Sequence, residues 1–326
     1  MSLFRKARPA SPSARGKNGD VSAELNINPS GRKRPVRQFS EDKRAKRTSF
    51  LFLLPSLIGV LVFFAAPFAV IIAYSVVSDP VNMDFVGFSN FVTVWKNEAF
   101  RRAAGNTLHI SLLSVPLAVI IPLLLALALE HDIPMKSKFR TFFLSPMMVP
   151  VASVVLIWQV VFHQEGVLSN IVTLFGGQPV DWLKSEFSIY IVVLLFLWKN
   201  IGYNMILFMA AIGNIPKYPI EAAEVDGAGN MRIFFSIKLR YLSPTILFVL
   251  IISLINSFKV FREIYLLTGN YPYQSLYTLQ HFMNNMFRKF DYQKLSAASM
   301  IMFVVMVAIV GILFIAENKF GKDVEQ

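Results

Sequence analysis

Six long apolar runs most constrain what this chain can fold into. They comprise residues 50–77, 108–129, 142–162, 189–212, 245–267 and 297–316. Runs of about 20 apolar residues are long enough for a helix to cross the roughly 30 Å hydrocarbon core of a bilayer. No run alternates apolar and polar residues as a barrel strand does, and backbone groups in lipid must be paired within each segment. The pattern predicts an all-α membrane protein with six transmembrane helices.

The composition also favours a membrane protein over a soluble one. Hydrophobic residues make up 55% of the chain and charged residues only 16%, with a mean hydropathy of +0.52. That apolar share is above what an ordinary soluble domain contains. The chain has no cysteine, which excludes disulfides and thiolate metal sites.

Motifs for catalysis are missing from the sequence. The nearest fragment to a phosphate-binding loop, Gly16-Lys17-Asn18, lacks the first glycine and the hydroxyl residue of that motif. The histidines are scattered without H-E-x-x-H spacing, and residue order supports no Ser-His-Asp arrangement. We therefore expect no catalytic residue, no metal site and no cofactor bound by this chain. A membrane-embedded enzyme is the alternative class.

The N-terminal segment is strongly basic. Residues 1–48 carry 13 of the 32 Lys and Arg residues, together with many Ser, Pro and Gly. This composition predicts a disordered tail. Basic charge beside a first span favours a cytoplasmic anchor on anionic lipid over a nucleic-acid-binding arm. The apolar run that follows is too long for a secretory signal, and no small-residue cleavage site closes it.

Lys and Arg are unevenly divided between the two sides of the membrane. With alternating topology, one side carries 22 including the tail and the other carries 7, while Lys199, Lys259 and Arg262 fall within spans. The positive-inside rule then places both termini in the cytoplasm. We predict a six-span domain over residues 49–318 and a short cytoplasmic tail over residues 319–326.

A short acidic stretch, PIEAAEVDGAGNMRIFF, separates the fourth and fifth runs. Pro219 favours a helix start, which puts Glu221 near the positive end of the helix dipole. Gly227 or Gly229 is predicted to end this helix in the left-handed conformation. Asn230 is predicted to cap a second helix that stops before Pro244 opens the fifth span. Residues 213–244 should therefore form a cytoplasmic helix-turn-helix loop lying on the membrane.

Two functions are open for this loop on composition alone. The side chains of Ala222 and Ala223 are small, so another protein can approach the backbone of the first helix closely. Glu221 and Asp226 offer negative charges to a cationic partner. The alternative is an ordinary solvated loop.

A long stretch of sequence resolves that choice by resemblance. EAAEVDGAGNMRIFFSIKLRYLSP, residues 221–244, resembles the EAA loop in the membrane subunits of bacterial ABC importers, particularly the carbohydrate-transporting, maltose-type permease family. The resemblance covers roughly residues 50–316 and excludes the basic tail. Further stretches that carry it are LFLLPSLIGVLVFFAAPF, GNTLHIS, KFRTFFLSPMMVPVASVVLIWQVVF, LWKNIGYNMILFMAAIGNIP and NSFKVFREIYLLTGNYP.

The resemblance implies a coupling helix that docks on a cytoplasmic ATPase subunit. The matching docking positions are Glu221, Ala222, Ala223, Asp226, Gly227 and Ala228. It further implies an inner-membrane permease that imports a carbohydrate, with ATP and Mg²⁺ bound by the partner ATPase subunits. A second permease in a heterodimer, of which this chain resembles the first type, and an extracytoplasmic solute-binding protein complete the implied assembly.

Two positions depart from the family's pattern. Arg240 stands where a proline is usual, which affects how the second loop helix ends. Gly269-Asn270-Tyr271-Pro272 replaces a usual double-glycine-proline and leaves the substrate open. Import of another solute such as glycerol phosphate is one alternative function, and an ion-driven secondary transporter is another. A secondary transporter is expected to have inverted repeats with broken helices at the midplane, which six spans with one ATPase-docking loop do not suggest.

Polar residues within two spans are candidates for lining the translocation path. Asn256, Lys259 and Glu263 follow i, i+3, i+7 spacing beside Arg262 in span five, and charges there are costly against lipid. A Lys259–Glu263 pair reaching the membrane surface is the alternative.

Span four carries a second polar patch. Tyr203 is placed to stack on a sugar ring and Asn204 to bond its hydroxyls, the alternative being hydrogen bonds between helices.

Overall fold

The computed structural model describes residues 38–130 and 135–320. The chain divides into two units, Met1–Gly59 and Val60–Gln326. The described residues form helices joined by short connections, most of them α-helices. These are α1 (Gln38–Val60), α2 (Ala66–Ser75), α3 (Ser89–Lys96), α4 (Glu98–Ala128), α5 (Lys136–Met148), α6 (Val151–Phe162), α7 (Val167–Leu174), α8 (Ser188–Gly213), α9 (Lys217–Val225), α10 (Asn230–Ile233), α11 (Leu239–Phe258), α12 (Phe261–Thr268), α13 (Leu279–Arg288) and α14 (Tyr292–Phe320).

Four shorter helical segments connect some of these α-helices. Leu61–Ala65 and Phe234–Lys238 are π-helical, whereas Trp182–Lys184 and Gln274–Leu276 are 3₁₀ turns.

The prediction of six membrane-spanning helices is confirmed. Six helical segments in the described part of the chain are long and apolar enough to cross a bilayer. They are Thr48–Ser75, Glu98–Ala128, Val151–Leu174, Ser188–Gly213, Asn230–Thr268 and Tyr292–Asn318. Span two begins ten residues before its apolar run because Asn97 caps α4, accepting hydrogen bonds from the N–H groups of Ala99 and Phe100 at 2.9 and 3.3 Å.

The predicted third span, 142–162, is wrong in its bounds. Pro150 disfavours a helical conformation at the residue before it, and Val149 is extended, with φ −84° and ψ 130°. The run is therefore split into α5 and α6, and the membrane-length segment extends from α6 through α7 instead.

The predicted tail boundary is also corrected. Helix α1 begins at Gln38, so residues 38–48 are helical rather than disordered, while residues 1–37 lie outside the described part of the chain. At the other end, α14 runs to Phe320, and residues 321–326 are likewise outside it.

Spans two and four form the buried centre of the second unit. In the 18-residue apolar stretch of each, 50% and 56% of the residues are buried, against 6% for span six. Ile110 and Ala118 of α4 pack with Val192 and Phe196 of α8 in one buried cluster. The apolar side chains left exposed on span six match a lipid environment rather than water, because a soluble surface does not tolerate so large an apolar patch.

A glycine brings α8 and α5 into close contact. A Cβ at Gly202 would lie 1.9 Å from the carbonyl oxygen of Phe143 and 3.1 Å from the Cα of Leu144. Small residues at such crossings let helix backbones pack against each other within a membrane.

We expect Gly202→Val to destabilise this packing strongly. The added atoms meet backbone that has no side-chain freedom to move, so the helices must separate at a cost of about 1–3 kcal/mol or more. Thermal unfolding of the detergent-purified protein checks this. Gly213→Ala is the matched control, because a Cβ there meets nothing within 4 Å. Equal melting temperatures for the two variants would contradict the argument.

Candidate functional site

The acidic stretch folds into the predicted first helix, with an earlier start. Helix α9 begins at Lys217, so Pro219 is its third residue, where an N–H would have no partner within the helix. The first turn consequently contains no acidic residue, and the prediction that Glu221 sits at the positive end of the dipole is wrong by one turn.

The end of α9 is set by Gly227. Its φ is +78°, a left-handed conformation that glycine adopts without strain. The Gly227 N–H donates to the carbonyl of Glu224 at 3.0 Å and the Ala228 N–H to that of Ala223 at 2.9 Å, the two bonds of a Schellman motif. Gly229, with φ −72°, has no such role.

The predicted second loop helix is not separate from span five. Gly229, rather than Asn230, is the residue before α10, and no side chain caps that helix. Helix α10 passes through the π-helical segment Phe234–Lys238 into α11, which continues through Pro244. The helix therefore does not end near Arg240, and the helix-turn-helix consists of α9 and the extended start of span five.

The six predicted docking residues lie in the second half of α9 and in the turn that follows it. Glu221, Ala222, Asp226 and Gly227 are exposed, whereas Ala223 and Ala228 are half-buried beside a groove of about 280 Å³. Among the described residues, no ion pair engages the carboxylates of α9 or Asp226, so they are available to a partner.

Sequence reasoning missed two exposed apolar side chains of α9. Tyr218 is 80% exposed and Val225 is 88% exposed. Tyrosine is a residue type that is enriched in protein interfaces, whereas a single exposed valine is ordinary on a protein surface. To predict from the sequence that these two side chains are exposed, one would need to know where the helix starts, because the start decides which face each residue lies on.

An ion pair braces this end of the molecule. Lys238 Nζ contacts both carboxylate oxygens of Glu130, two residues beyond the end of span two, at 2.8 Å. The pair ties the start of span five to the residues that follow α4.

Span five is interrupted where its charged residues occur. Helix α11 ends at Phe258 and α12 begins at Phe261, so Asn256, Lys259 and Glu263 do not follow one continuous helix face as predicted. The break nevertheless brings all three to one cleft of about 360 Å³ between α8, α11, α12 and α13. Its lining comprises Leu195, Phe196, Lys199, Asn200, Asn256, Lys259, Val260, Arg262, Glu263 and Gln280.

Glu263 is the single acidic side chain among the described residues that line this cleft, and its partner differs from the predicted one. Its carboxylate is paired with Lys199 of α8 at 2.5 Å and with Arg262 at 3.4 Å, rather than with Lys259. The Glu263 side chain is only 9% exposed. A buried carboxylate needs such partners, because an unpaired charge in an apolar setting is strongly disfavoured.

Two predicted lining residues do not reach the cleft. Asn204 is buried and its side-chain amide donates to the Ala118 carbonyl at 2.8 Å and to Ser253 Oγ at 3.1 Å, so it joins α8 to α4 and α11. Tyr203 is half-buried and outside the lining. Sequence reasoning missed Gln280 of α13. This residue follows the fifth span in the chain, and no motif or spacing around it indicates that it lines the cleft.

A buried histidine lies next to the cleft residue Gln280. His281 packs edge-on against Phe261 with ring centroids 4.6 Å apart. Burial lowers the pKa of His281 to about 4. The imidazole is therefore neutral near pH 7 and adds no charge to this region.

The architecture fits one class of protein. A six-span helical bundle with a polar, charged cleft between spans and an exposed acidic helix suits the membrane component of a transport system. Residues 118–319 match the family described as the binding-protein-dependent transport system inner membrane component. The chain belongs to this family, and it is a multi-pass permease subunit of an ABC importer rather than an enzyme.

Two curated relatives show the range of the family. The chain is 34% identical over 236 residues to the arabinooligosaccharides transport system permease protein AraP of Bacillus subtilis (strain 168), covering 69% of this chain and 73% of the relative. It is 30% identical over 271 residues to the sn-glycerol-3-phosphate transport system permease protein UgpA of Yersinia pestis bv. Antiqua (strain Antiqua), covering 81% and 92%.

A solved structure has the same fold. It is a bacterial ABC transporter involved in the import of the acidic polysaccharide alginate, and one of its chains superposes with a TM-score of 0.74 at 25% identity. The match covers 86% of this chain and 98% of the other.

Proposed function

We propose that this chain passes a carbohydrate across the inner membrane as one of two permeases driven by separate ATPase subunits. The observation that carries the proposal is the exposed α9 with its unpaired carboxylates, in a chain whose relatives AraP and the alginate importer both transport saccharides. ATP and Mg²⁺ are bound by the partner ATPase, and an extracytoplasmic binding protein delivers the solute.

The six docking residues at the end of α9 contact the ATPase in this proposal. Closure of the ATPase pair pushes on α9, and the Lys238–Glu130 brace carries the displacement to span two. The excess of Lys and Arg on the side of this loop supports a cytoplasmic location for it and for both termini. The cleft at the break in span five lines part of the path.

Copurification tests the docking step. We expect an affinity-tagged chain, solubilised from its native membrane, to copurify with an ATPase subunit. The double variant Glu221→Lys/Asp226→Lys should lose the ATPase, because the introduced lysines would repel a cationic partner surface. Glu186→Lys, an exposed acidic position just before α8 and thus at the other end of span four, is the matched control. Retention of the ATPase by the double variant would contradict the proposal.

Uptake tests the substrate. Cells lacking this chain are expected to lose ATP-dependent import of a labelled saccharide and to regain it with the wild-type gene. Import of sn-glycerol 3-phosphate is the second candidate, favoured by the similarity to UgpA. Uptake that collapses with a protonophore while ATP is maintained would instead indicate an ion-driven transporter.

A further inference from the structure

The cleft at the break in span five has an excess of positive charge. Lys199, Lys259 and Arg262 line it against one carboxylate, that of Glu263. Ionised side chains within a membrane-spanning segment are costly, and they persist where a partner or a ligand offsets them. The arrangement of these charged side chains therefore indicates the charge of the ligand that the cleft binds.

Internal pairing does not cancel this charge. Glu263 is shared between Lys199 and Arg262, and Arg262 remains 64% exposed. Lys259 is exposed and, among the residues that the structure describes, has no carboxylate within ion-pair distance. The formal charge of the lining is thus two units positive.

The remaining polar groups of the cleft are amides. Asn200 and Asn256 are bonded to each other, with the Asn256 amide donating to Asn200 Oδ1 at 3.1 Å, and Gln280 approaches from α13. Amides both donate and accept hydrogen bonds, which suits hydroxyl groups. The volume of about 360 Å³ falls within the roughly 300–1,000 Å³ typical of small-molecule sites.

We infer that the solute is an anionic carbohydrate, with a carboxylate or phosphate group that Lys259 and Arg262 bind and hydroxyls that the amides bind. This inference rests on the proposed function and narrows its substrate class. A neutral sugar would offer no negative charge to either cation.

A second cavity has the same sign of charge. A pocket of about 370 Å³ lies between the start of α4, the loop after α12, and α13. Arg102 and Lys289 line it, and no acidic side chain from the described part of the chain does so. Tyr271 and Tyr277 in the same lining offer aromatic rings. Cavities lined by one sign of charge concentrate ligands of the opposite sign, so this pocket favours the same class of solute.

The charge of the cleft can be measured without knowing the solute. The chain has no cysteine, so Gln280→Cys introduces a single thiol at the cleft. The measured quantity is the ratio of two modification rates in the intact complex, that of an anionic sulfonate methanethiosulfonate reagent to that of a cationic trimethylammonium one. We expect this ratio to be about fivefold higher at Gln280→Cys than at Lys96→Cys, on the exposed end of α3. Mass analysis of this chain reports the rates. A ratio near that of the control would show that a partner neutralises the cleft, and a ratio that favours the cationic reagent would show a net negative cleft; either result would overturn the inference.

Transport tests the inference directly with matched probes. Digalacturonate and galactobiose share a disaccharide skeleton but differ in charge, and sn-glycerol 3-phosphate distinguishes phosphate from carboxylate. We expect wild-type cells to import one of the two anionic probes and to exclude galactobiose. Lys259→Gln should reduce that import about tenfold, as loss of a charge-assisted hydrogen bond predicts, whereas Lys259→Arg keeps it within about twofold. Lys96→Gln is the surface control.

The outcomes separate this inference from the proposed function. Import of galactobiose in preference to both anions overturns the anionic class and leaves saccharide transport intact. An assembled complex that imports neither anionic probe counts against the anionic class alone, because loss and rescue of labelled saccharide uptake tests the proposed function separately. Import of an anion at the same rate in Lys259→Gln and Lys96→Gln shows that the cleft does not bind the charged group.

Discussion

Replacement of Gly227 by proline is expected to abolish transport while the chain stays inserted in the membrane. Proline fixes φ near −65°, whereas Gly227 has φ +78°. Proline also has no N–H to donate to the Glu224 carbonyl, a bond of 3.0 Å. Both bonds that close the end of α9 are therefore lost, and Asp226 and Ala228 leave their positions on the docking surface.

Asparagine at the same position is the matched control. It tolerates the left-handed conformation better than other side chains, and a Cβ at Gly227 meets no atom within 4 Å. Gly227→Asn should therefore retain most of the transport, with a loss of roughly 1 kcal/mol or less in loop stability. The measurements are uptake, ATPase activity stimulated by the loaded binding protein, and the amount of the chain in the membrane. Normal uptake by Gly227→Pro with its ATPase bound would refute the coupling role of α9.

The features that followed from the sequence are those set by local chemistry. Apolar length alone identified six spans, because the bilayer thickness fixes the number of residues a helix needs. The left-handed end of α9 also followed, since few residues other than glycine adopt that conformation.

The features that did not follow depend on tertiary packing. Pro244 was predicted to open span five, yet the helix runs through it from α10, with a π-helical segment just before. Prolines are tolerated within membrane helices because neighbouring groups satisfy the freed backbone. The sequence carries no local mark of that compensation.

The charged cleft shows the same limit at the candidate site. Spacing placed Lys259 four residues before Glu263, which suggests a pair along one helix. The break after Phe258 changes that geometry, and Lys199 of span four, 64 positions earlier in the chain, becomes the partner. A pairing between spans cannot be deduced from spacing within one of them.

Replacement of Lys199 by methionine is expected to cause a large loss of folded protein and of transport. It leaves the 9% exposed Glu263 carboxylate with only Arg262, at 3.4 Å. Removing one member of a buried pair costs about 3–5 kcal/mol. The cost here should fall below that range, because the Lys199 side chain is 32% exposed and water screens part of the interaction. Thermal unfolding of the purified protein measures the loss.

The double variant Lys199→Met/Glu263→Gln distinguishes a structural role of the pair from a role in binding. It removes one positive and one negative charge, so the cleft keeps its excess of two positive charges, and no buried carboxylate is left unpaired. We expect it to recover most of the melting temperature and most of the uptake that Lys199→Met loses. Recovery of stability without uptake would show that Lys199 or Glu263 itself contacts the solute. If neither the melting temperature nor the uptake recovers, Lys199→Met acts by perturbing the packing of α8 against α12, and not through an unpaired charge.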